Sequence, residues 1–268
     1  SSTAYAQRMT SCARPSRSEG RHHPVTPLAA PPRPVPPPPW LFPDPATADE
    51  DGVVGVGADL APSTLVRAYR RGIFPWPHPG IPLPWFSPDP RGILTSDSLH
   101  VSRSLRQRLR RCGWTATVDN AFPAVLAGCA EPRGDKGTWI TRSMAHGYLR
   151  LHDLGWAHSV EIWDGHALVG GLYGVQIGGC FTGESMFHRV SDASKVALVE
   201  LVQRFSEAGG RFVDVQLATP HLCQLGARAV SRSVFLRMLA EVEDHDVRFA
   251  LDLRPVARLA AQAVRGKL

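Results

Sequence analysis

Cysteine is sparse and unpatterned in this 268-residue chain. The five residues Cys12, Cys112, Cys129, Cys180 and Cys223 form an odd set without CxxC spacing. That argues against a disulfide framework and a structural zinc site, and leaves reduced, mostly buried small hydrophobes. Long apolar runs are missing too: nowhere do 18 apolar residues follow one another, and residues 1–40 lack a run of signal-peptide length. The chain therefore reads as soluble and cytoplasmic. Acids are nearly absent from residues 1–40, which hold ten prolines, five arginines and one acid, and so carry +4 of the net +6. This composition predicts a disordered or polyproline-like extension, and the folded remainder, at about +2, is not basic enough by itself to imply nucleic-acid binding. No internal repeat is evident.

What remains is ample for a core, since 43% of residues are hydrophobic. The chain begins to pack at Trp40-Leu41-Phe42-Pro43, and a small, turn-rich domain runs from 41 to 90. It holds a helix from Pro62 to Arg71, with Pro in its first turn, Leu65, Val66 and Tyr69 on one side, and Gly72 as its stop. Trp76, Trp85 and Phe86 stand among the prolines between Pro75 and Pro90 as a rigid aromatic surface.

A second domain spans 91–255, before a tail at 256–268. A strand (Gly92–Thr95), a basic helix (Ser102–Arg111), a strand (Thr115–Val118) and helices over Ala121–Ala130 and Arg142–Leu154 come first, the last with Met144, Tyr148 and Leu151 at helical spacing. The periodicity then switches from 3.6 to 2. His158–Trp163, Ala167–Ile177 and Cys180–Phe187 read as an antiparallel meander, with a turn at Asp164-Gly165. A helix over Ser191–Ala208, a strand over Arg211–Gln216 and a late helix over Ser233–Val242 complete an order typical of acetyltransferase-like sheets.

The meander's last strand, the helix and the next strand form a βαβ unit, which brings both strand ends to one edge of a sheet, where ligands bind. Glu184, Asp214 and Gln216 can therefore face one cleft. No glycine occurs between Gly183 and Gly209. The glycine loop that cradles the pyrophosphate of coenzyme A at this helix is thus missing, and Asp192 would repel a phosphate in its first turn. A different acyl donor is indicated. Ser185 invites a hydrolase reading, but the second glycine of a nucleophile elbow is absent. Arg103, Arg106 and Arg110 recur at i, i+3 and i+7 of a stretch that also holds Arg108 and Arg111 and no acid, a geometry suited to a phosphate backbone.

The words IFPW (73–76), WFSPDPRGIL (85–94), GTWIT (137–141), LHDLGWAHSVEIW (151–163), LVGGLYGV (168–175), GESMFHR (183–189), the pair Ser194-Lys195 and FVDVQ (212–216) follow one another in a fixed order. Over roughly Leu41–Leu239 the chain resembles the leucyl/phenylalanyl-tRNA–protein transferases. The resemblance implies an α+β fold with an acetyltransferase-like (GNAT) mixed sheet and flanking helices, behind a small N-terminal domain. It implies transfer of Leu or Phe, less often Met, from aminoacyl-tRNA to the N-terminal Arg or Lys of proteins that then enter N-degron degradation. Because the aminoacyl-tRNA ester is already activated, no metal or cofactor is expected, and the chain reads as a monomer with no membrane partner.

Carried onto this sequence, the resemblance places Trp76 and Trp139 beside the terminal adenosine and Arg103, Arg106 and Arg110 on the tRNA backbone. Leu172, Gly183, Met186, Leu198, Leu201 and Val213 would surround the amino-acid side chain. Gln216 is too weak a base to deprotonate an amine; it is assigned to accept a hydrogen bond from it, with Asp214 as its positioning partner or part of a proton relay. Glu184 would receive the acceptor's positive charge, unless it is paired with Arg189 or Lys195. Three other readings compete: an aminoacyl-tRNA-dependent enzyme acting on a peptidoglycan precursor, a small-molecule acetyltransferase, and an inactive tRNA-binding module. They are opposed by the missing helical arm, the missing glycine loop, and the presence of Asp214 and Gln216.

Overall fold

Alternation along the strands builds the fold: neighbours such as Ile93 and Leu94, or Phe212 and Val213, point into separate apolar cores on opposite faces of one sheet. The computed structural model describes residues 26–132 and 138–262. Strand β1 (Val53–Val56), helix α1 (Pro62–Arg70), β2 (Phe74–Pro75) and β3 (Pro84–Phe86) come first, and the strands form an antiparallel sheet in the order β1-β3-β2. There follow β4 (Arg91–Leu94), α2 (Arg103–Arg111), β5 (Thr115–Val118), α3 (Phe122–Ala130), α4 (Arg142–Asp153), β6 (Ala157–Asp164), β7 (Ala167–Ile177) and β8 (Cys180–His188). Then come α5 (Ala193–Glu207), β9 (Phe212–Gln216), α6 (Pro220–Gln224), β10 (Arg228–Val230), α7 (Arg232–Val242), β11 (Arg254–Pro255) and α8 (Leu259–Gln262).

The larger sheet is mixed, in the order β10-β4-β9-β8-β7-β6-β5-β11. Its parallel pair is β8 with β9, joined through α5, as a βαβ unit requires. Buried residues of α2, α5 and α8 share the core on one face, and those of α1, α3, α4 and α7 the core on the other. No helix among the described residues is long and apolar enough to cross a membrane.

Local signals explain most boundaries. Ser102 and Thr141 cap α2 and α4 by accepting from the amides of Leu105 and Met144. Trp85, Trp114 and Trp156 are buried as packing residues and Trp163 is half-buried. Of the four cysteines described, Cys129 and Cys180 are buried, Cys112 is half-buried and Cys223 exposed, so burial is less general than the sequence suggested.

The structure corrects the sequence reading at both ends. The extension over 1–40, expected to be disordered or polyproline-like and to contribute nothing to the core, is laid against the body from Pro27 to Arg33: the amide of Ala29 donates to Phe249 O, that of Leu251 to Pro27 O, and the Trp156 indole to Arg33 O. Leu28 forms an antiparallel bridge with Ala250 and Ala29 is buried against the core, contacts that the proline count concealed. Residues 1–25 of that extension lie outside the described residues. At the other end, Val256, Leu259 and Ala260 belong to the core beside α2 and α5, so the expected tail from 256 does not begin there; residues 263–268 also lie outside the description.

Candidate functional site

Pairing between β8 and β9 stops after Cys180–Phe212, Phe181–Val213 and Thr182–Asp214. Beyond that point the two strands bound a cavity of about 150 Å³, lined from β8 by Gly183, Glu184, Ser185 and Met186, and from β9 by Val213, Val215 and Gln216. Leu172 of β7, Leu198 and Leu201 of α5, and Leu222 of α6 close it. All six residues named from sequence for the side-chain pocket therefore meet here, together with Glu184 and Gln216.

Two irregularities aim the polar groups. Against β7, Ser185 pairs with Tyr173 and Gly183 with Gly174, so the register skips Glu184; against β4, Gln216 pairs with Gly92 and Asp214 with Ile93, skipping Val215. Bulges of this kind re-aim side chains at the cost of one ladder step. The glycines opposite are required: a Cβ on Gly174 would lie 2.2 Å from Thr182 O, and one on Gly92 2.6 Å from the amide nitrogen of Ala218.

Glu184 is half-buried and accepts three hydrogen bonds. Tyr69 of α1 donates to its Oε1 at 2.8 Å, Tyr148 of α4 to Oε2 at 2.7 Å, and Gln216 Nε2 to Oε1 at 3.0 Å. Burial pushes the Glu184 carboxyl up to about 7, against the opposing pull of the two phenols. The same burial, with the charge of Glu184 added, holds the Tyr69 and Tyr148 phenols well above their ordinary range. The alternative ion pair of Glu184 with Arg189 or Lys195 does not form: Arg189 pairs with Glu131 at 2.7 Å and Lys195 with Asp192 at 2.9 Å.

Asp214 is fully buried, and its carboxylate is engaged on every side. Arg91 grips it with a fork, Nε to Oδ1 at 2.8 Å and Nη2 to Oδ2 at 2.7 Å; Thr182 Oγ1 donates to Oδ2 at 3.1 Å and the Gln216 amide to Oδ1 at 2.9 Å. Asp214 thus reaches the backbone of Gln216 rather than its side chain. Gln216 itself sits at φ +62°, the left-handed region that a branched-Cβ or long residue seldom holds unaided. With its amide nitrogen on Glu184, the side chain presents its oxygen as the acceptor.

The residues foreseen for tRNA lie outside this cavity. Trp76, 37% exposed, packs by ring contacts on His78 and Phe86, and Trp139 is half-buried against the α1/α4 core. Arg103 and Arg110 are exposed, whereas Arg106 folds back to donate twice to Val101 O. The helix is also not free of acids in space, for Asp192 approaches Arg108 at 3.7 Å.

Sequence reasoning missed Arg91, Tyr69, Tyr148, Val215 and Leu222 as members of the site. Arg91 lies within the quoted word WFSPDPRGIL, which was a signal; the tyrosines looked like ordinary core positions at helical spacing, and Leu222 sits on a one-turn helix without periodicity.

Comparison with known proteins places the chain in a family. The family profile described as leucyl/phenylalanyl-tRNA protein transferase matches residues 93–240, and the profile of that family's N-terminal domain matches 58–89. A protein of Chromohalobacter salexigens named leucyl/phenylalanyl-tRNA–protein transferase is 52% identical over 210 residues, covering 75% of this chain and 82% of its own length. Proteins of the same name from Anaeromyxobacter dehalogenans and Shewanella halifaxensis are 52% and 46% identical, over 74% and 76% of this chain and 86% and 87% of their own lengths. Among solved structures, L-PGS from Bacillus licheniformis aligns with a TM-score of 0.36 and 13% identity, over 55% of this chain and 48% of that one, a likeness too slight to define the fold. These matches set the chain among transferase enzymes. It belongs to the leucyl/phenylalanyl-tRNA–protein transferase family.

Proposed function

We propose that this chain transfers Leu or Phe, and less often Met, from aminoacyl-tRNA to the N-terminal Arg or Lys of acceptor proteins. One observation carries the reading: an apolar cavity of about 150 Å³ opens beside a carboxylate and a carboxamide, with all six residues foreseen for the side-chain pocket in its wall. A cavity of this size holds a benzene-sized group, which suits a Leu or Phe side chain.

The ester is already activated, so the chain's task is to place the amine. The acceptor's α-amine, ordinarily with a pKa of about 7.7 to 8.0, attacks the ester carbonyl in its neutral form. The Gln216 carboxamide oxygen accepts one amine hydrogen and fixes the line of attack. A C–N bond forms, the C–O bond to the ribose breaks, and the proton lost by the amine reaches the leaving ribose oxygen, with the neighbouring ribose hydroxyl as shuttle. Glu184 faces the acceptor's positive charge. Asp214 serves as a positioning residue, since its oxygens are occupied by Arg91, Thr182 and the Gln216 amide and leave no room for a relay.

Trp76 and Trp139 are proposed to stack on the terminal adenosine, and Arg103, Arg106 and Arg110 to meet the tRNA backbone. Exposure of Arg103 and Arg110 supports that role more than the geometry of Arg106 does. Residues 41–90 are taken as the N-terminal unit and those from 91 onward, with Val256, Leu259 and Ala260 included, as a GNAT-like catalytic unit; the separate sheets on either side of residue 90 and the parallel β8–α5–β9 crossover support this reading. The reading includes a cytoplasmic monomer. The relatives' names specify protein as acceptor, which sets aside the peptidoglycan-precursor alternative.

The test is incubation with Leu-tRNA or Phe-tRNA and an Arg-initiated peptide, beside acetyl-coenzyme A as rival donor. The expected product is the peptide extended by one Leu or Phe; acetylation, or extension of a peptide with an acidic N-terminus equally well, would overturn the reading.

A further inference from the structure

Arg91 touches neither the cavity nor Glu184 in the contacts described above, yet three independent features tie it to both. Its guanidinium is 1% exposed and fully held: forked on Asp214, donating from Nη1 to Gly72 O at 3.0 Å, and lying 4.8 Å from the ring centre of Phe74 and 4.4 Å from that of Phe235. Such a fork cannot tilt without breaking two bonds at once. Asp214 in turn fixes Gln216 in its left-handed conformation through the backbone amide. Finally, Gly72 lies two residues past the helix that supplies Tyr69, so one short stretch of chain brings a partner to Glu184 and a partner to Arg91.

We infer that Arg91 is a positioning residue for the transfer reaction, setting the conformation of Gln216 and cancelling the negative charge of Asp214 that Glu184 would otherwise face. The inference rests on the proposed reading of the site. The groups around Glu184 are Tyr69 from α1, Tyr148 from α4, Tyr173 from β7, Asp214 and Gln216 from β9, and Arg91 from β4. Three are neutral phenols and one a neutral amide, so Arg91 is the cation that balances Asp214 among them. Asp214 pushes the Glu184 carboxyl up and Arg91 pulls it down, in line with that balance. Stability alone does not explain the pair: buried ion pairs are often no more stabilising than apolar residues of the same volume.

The experiment reads the Glu184 carboxyl directly, by carbon-13 NMR titration of labelled glutamate, with the resonance assigned by its loss in Glu184→Gln. Asp214→Asn leaves Arg91 unbalanced and is expected to lower the Glu184 midpoint by at least about one pH unit; Arg91→Met is expected to raise it by a similar amount. The double variant Arg91→Met/Asp214→Asn, neutral on both sides, should return close to the wild-type midpoint. Arg91→Lys keeps the charge and loses the fork, so its midpoint should hold while kcat falls by about tenfold or more at unchanged KM for charged tRNA. A midpoint unmoved in Asp214→Asn, or moved in the same direction in both charge variants, overturns the inference. Should Arg91→Met not fold, Asp214→Asn and the double variant still decide it. The titration needs no turnover, so failure of the wild type to use charged tRNA would overturn the functional reading alone.

Discussion

The hydroxyls of Tyr69 and Tyr148 lie 2.9 Å apart while each also reaches one oxygen of Glu184. Three contacts thus join three groups in a ring. An ionised carboxylate contributes no proton, leaving two phenolic protons for three contacts; a protonated Glu184 supplies the third. The carboxyl's displacement to about 7 has a different cause, burial, which outweighs the two phenols' pull toward the ionised form.

Binding of a cationic acceptor should therefore expel a proton. At pH 6, titrating an Arg-initiated peptide into the enzyme in buffers of different ionisation enthalpy should show release of about one proton per peptide. Glu184→Gln should show none, and a wild type that releases none would mean that Glu184 is already ionised at that pH.

The same carboxyl gives stability a pH dependence whose sign is fixed. Its folded pKa of about 7 lies above the ordinary 4.5, so the folded state favours the protonated form. That contribution is fully present below pH 4.5 and is lost as pH rises through 7. The loss is about 3 kcal/mol. Denaturant midpoints of wild type and Glu184→Gln should diverge from pH 5 to pH 8 in favour of the variant. Parallel profiles would refute the shift.

For the strand residues, Gln216→Ala should lower kcat by roughly 100-fold with little loss of stability, since the side chain contributes an acceptor and one bond to Glu184. Asp214→Asn should lower both, because it strands a buried guanidinium, a change that costs about 3–5 kcal/mol. Their effects on kcat should be non-additive, as both act through the placement of one carboxamide. Strict additivity in single-turnover rates would show two separate roles.

The strap from Pro27 to Arg33 should contribute to stability. Removing residues 1–34 should lower Tm by several degrees relative to removal of residues 1–25, since the bonds to Phe249, Leu251 and Trp156 are lost. Equal melting of the two truncated forms would show that the strap is energetically idle.

Where sequence and structure agree, the cause is periodicity. The meander, α5 and β9 stand within two residues of their expected bounds because alternation and the 3.6 period are strong there, and turn glycines mark the ends. Glu184 and Gln216 were legible as polar interruptions of apolar strands. The bulges that aim them were not, because a skipped register step leaves no trace in a strand's own alternation; Gly174, on the opposite strand, was the faint sign. Nor was the Arg91–Asp214 pair legible, since nothing local joins residues 123 positions apart. Tyr69 and Tyr148 were read as core, and they are buried; what spacing could not reveal is that both hydroxyls end on one carboxylate. The extension and the tail were misread for a related reason: composition reports what a segment could bury by itself and is silent about grooves that await it.

The cavity between β8 and β9 is walled by Leu172, Leu198, Leu201 and Val213, all of which belong to the α5-side core. A wall shared with the core ties the size of the pocket to the packing of β7, β9 and α5, because a substitution that changes volume there also changes stability. A bound Leu or Phe side chain would then act as a core residue lent by the substrate. Selectivity and thermal stability become two readings of one quantity: a substitution that fills the pocket should raise Tm and expel the donor, and one that widens it should lower Tm while admitting a larger donor.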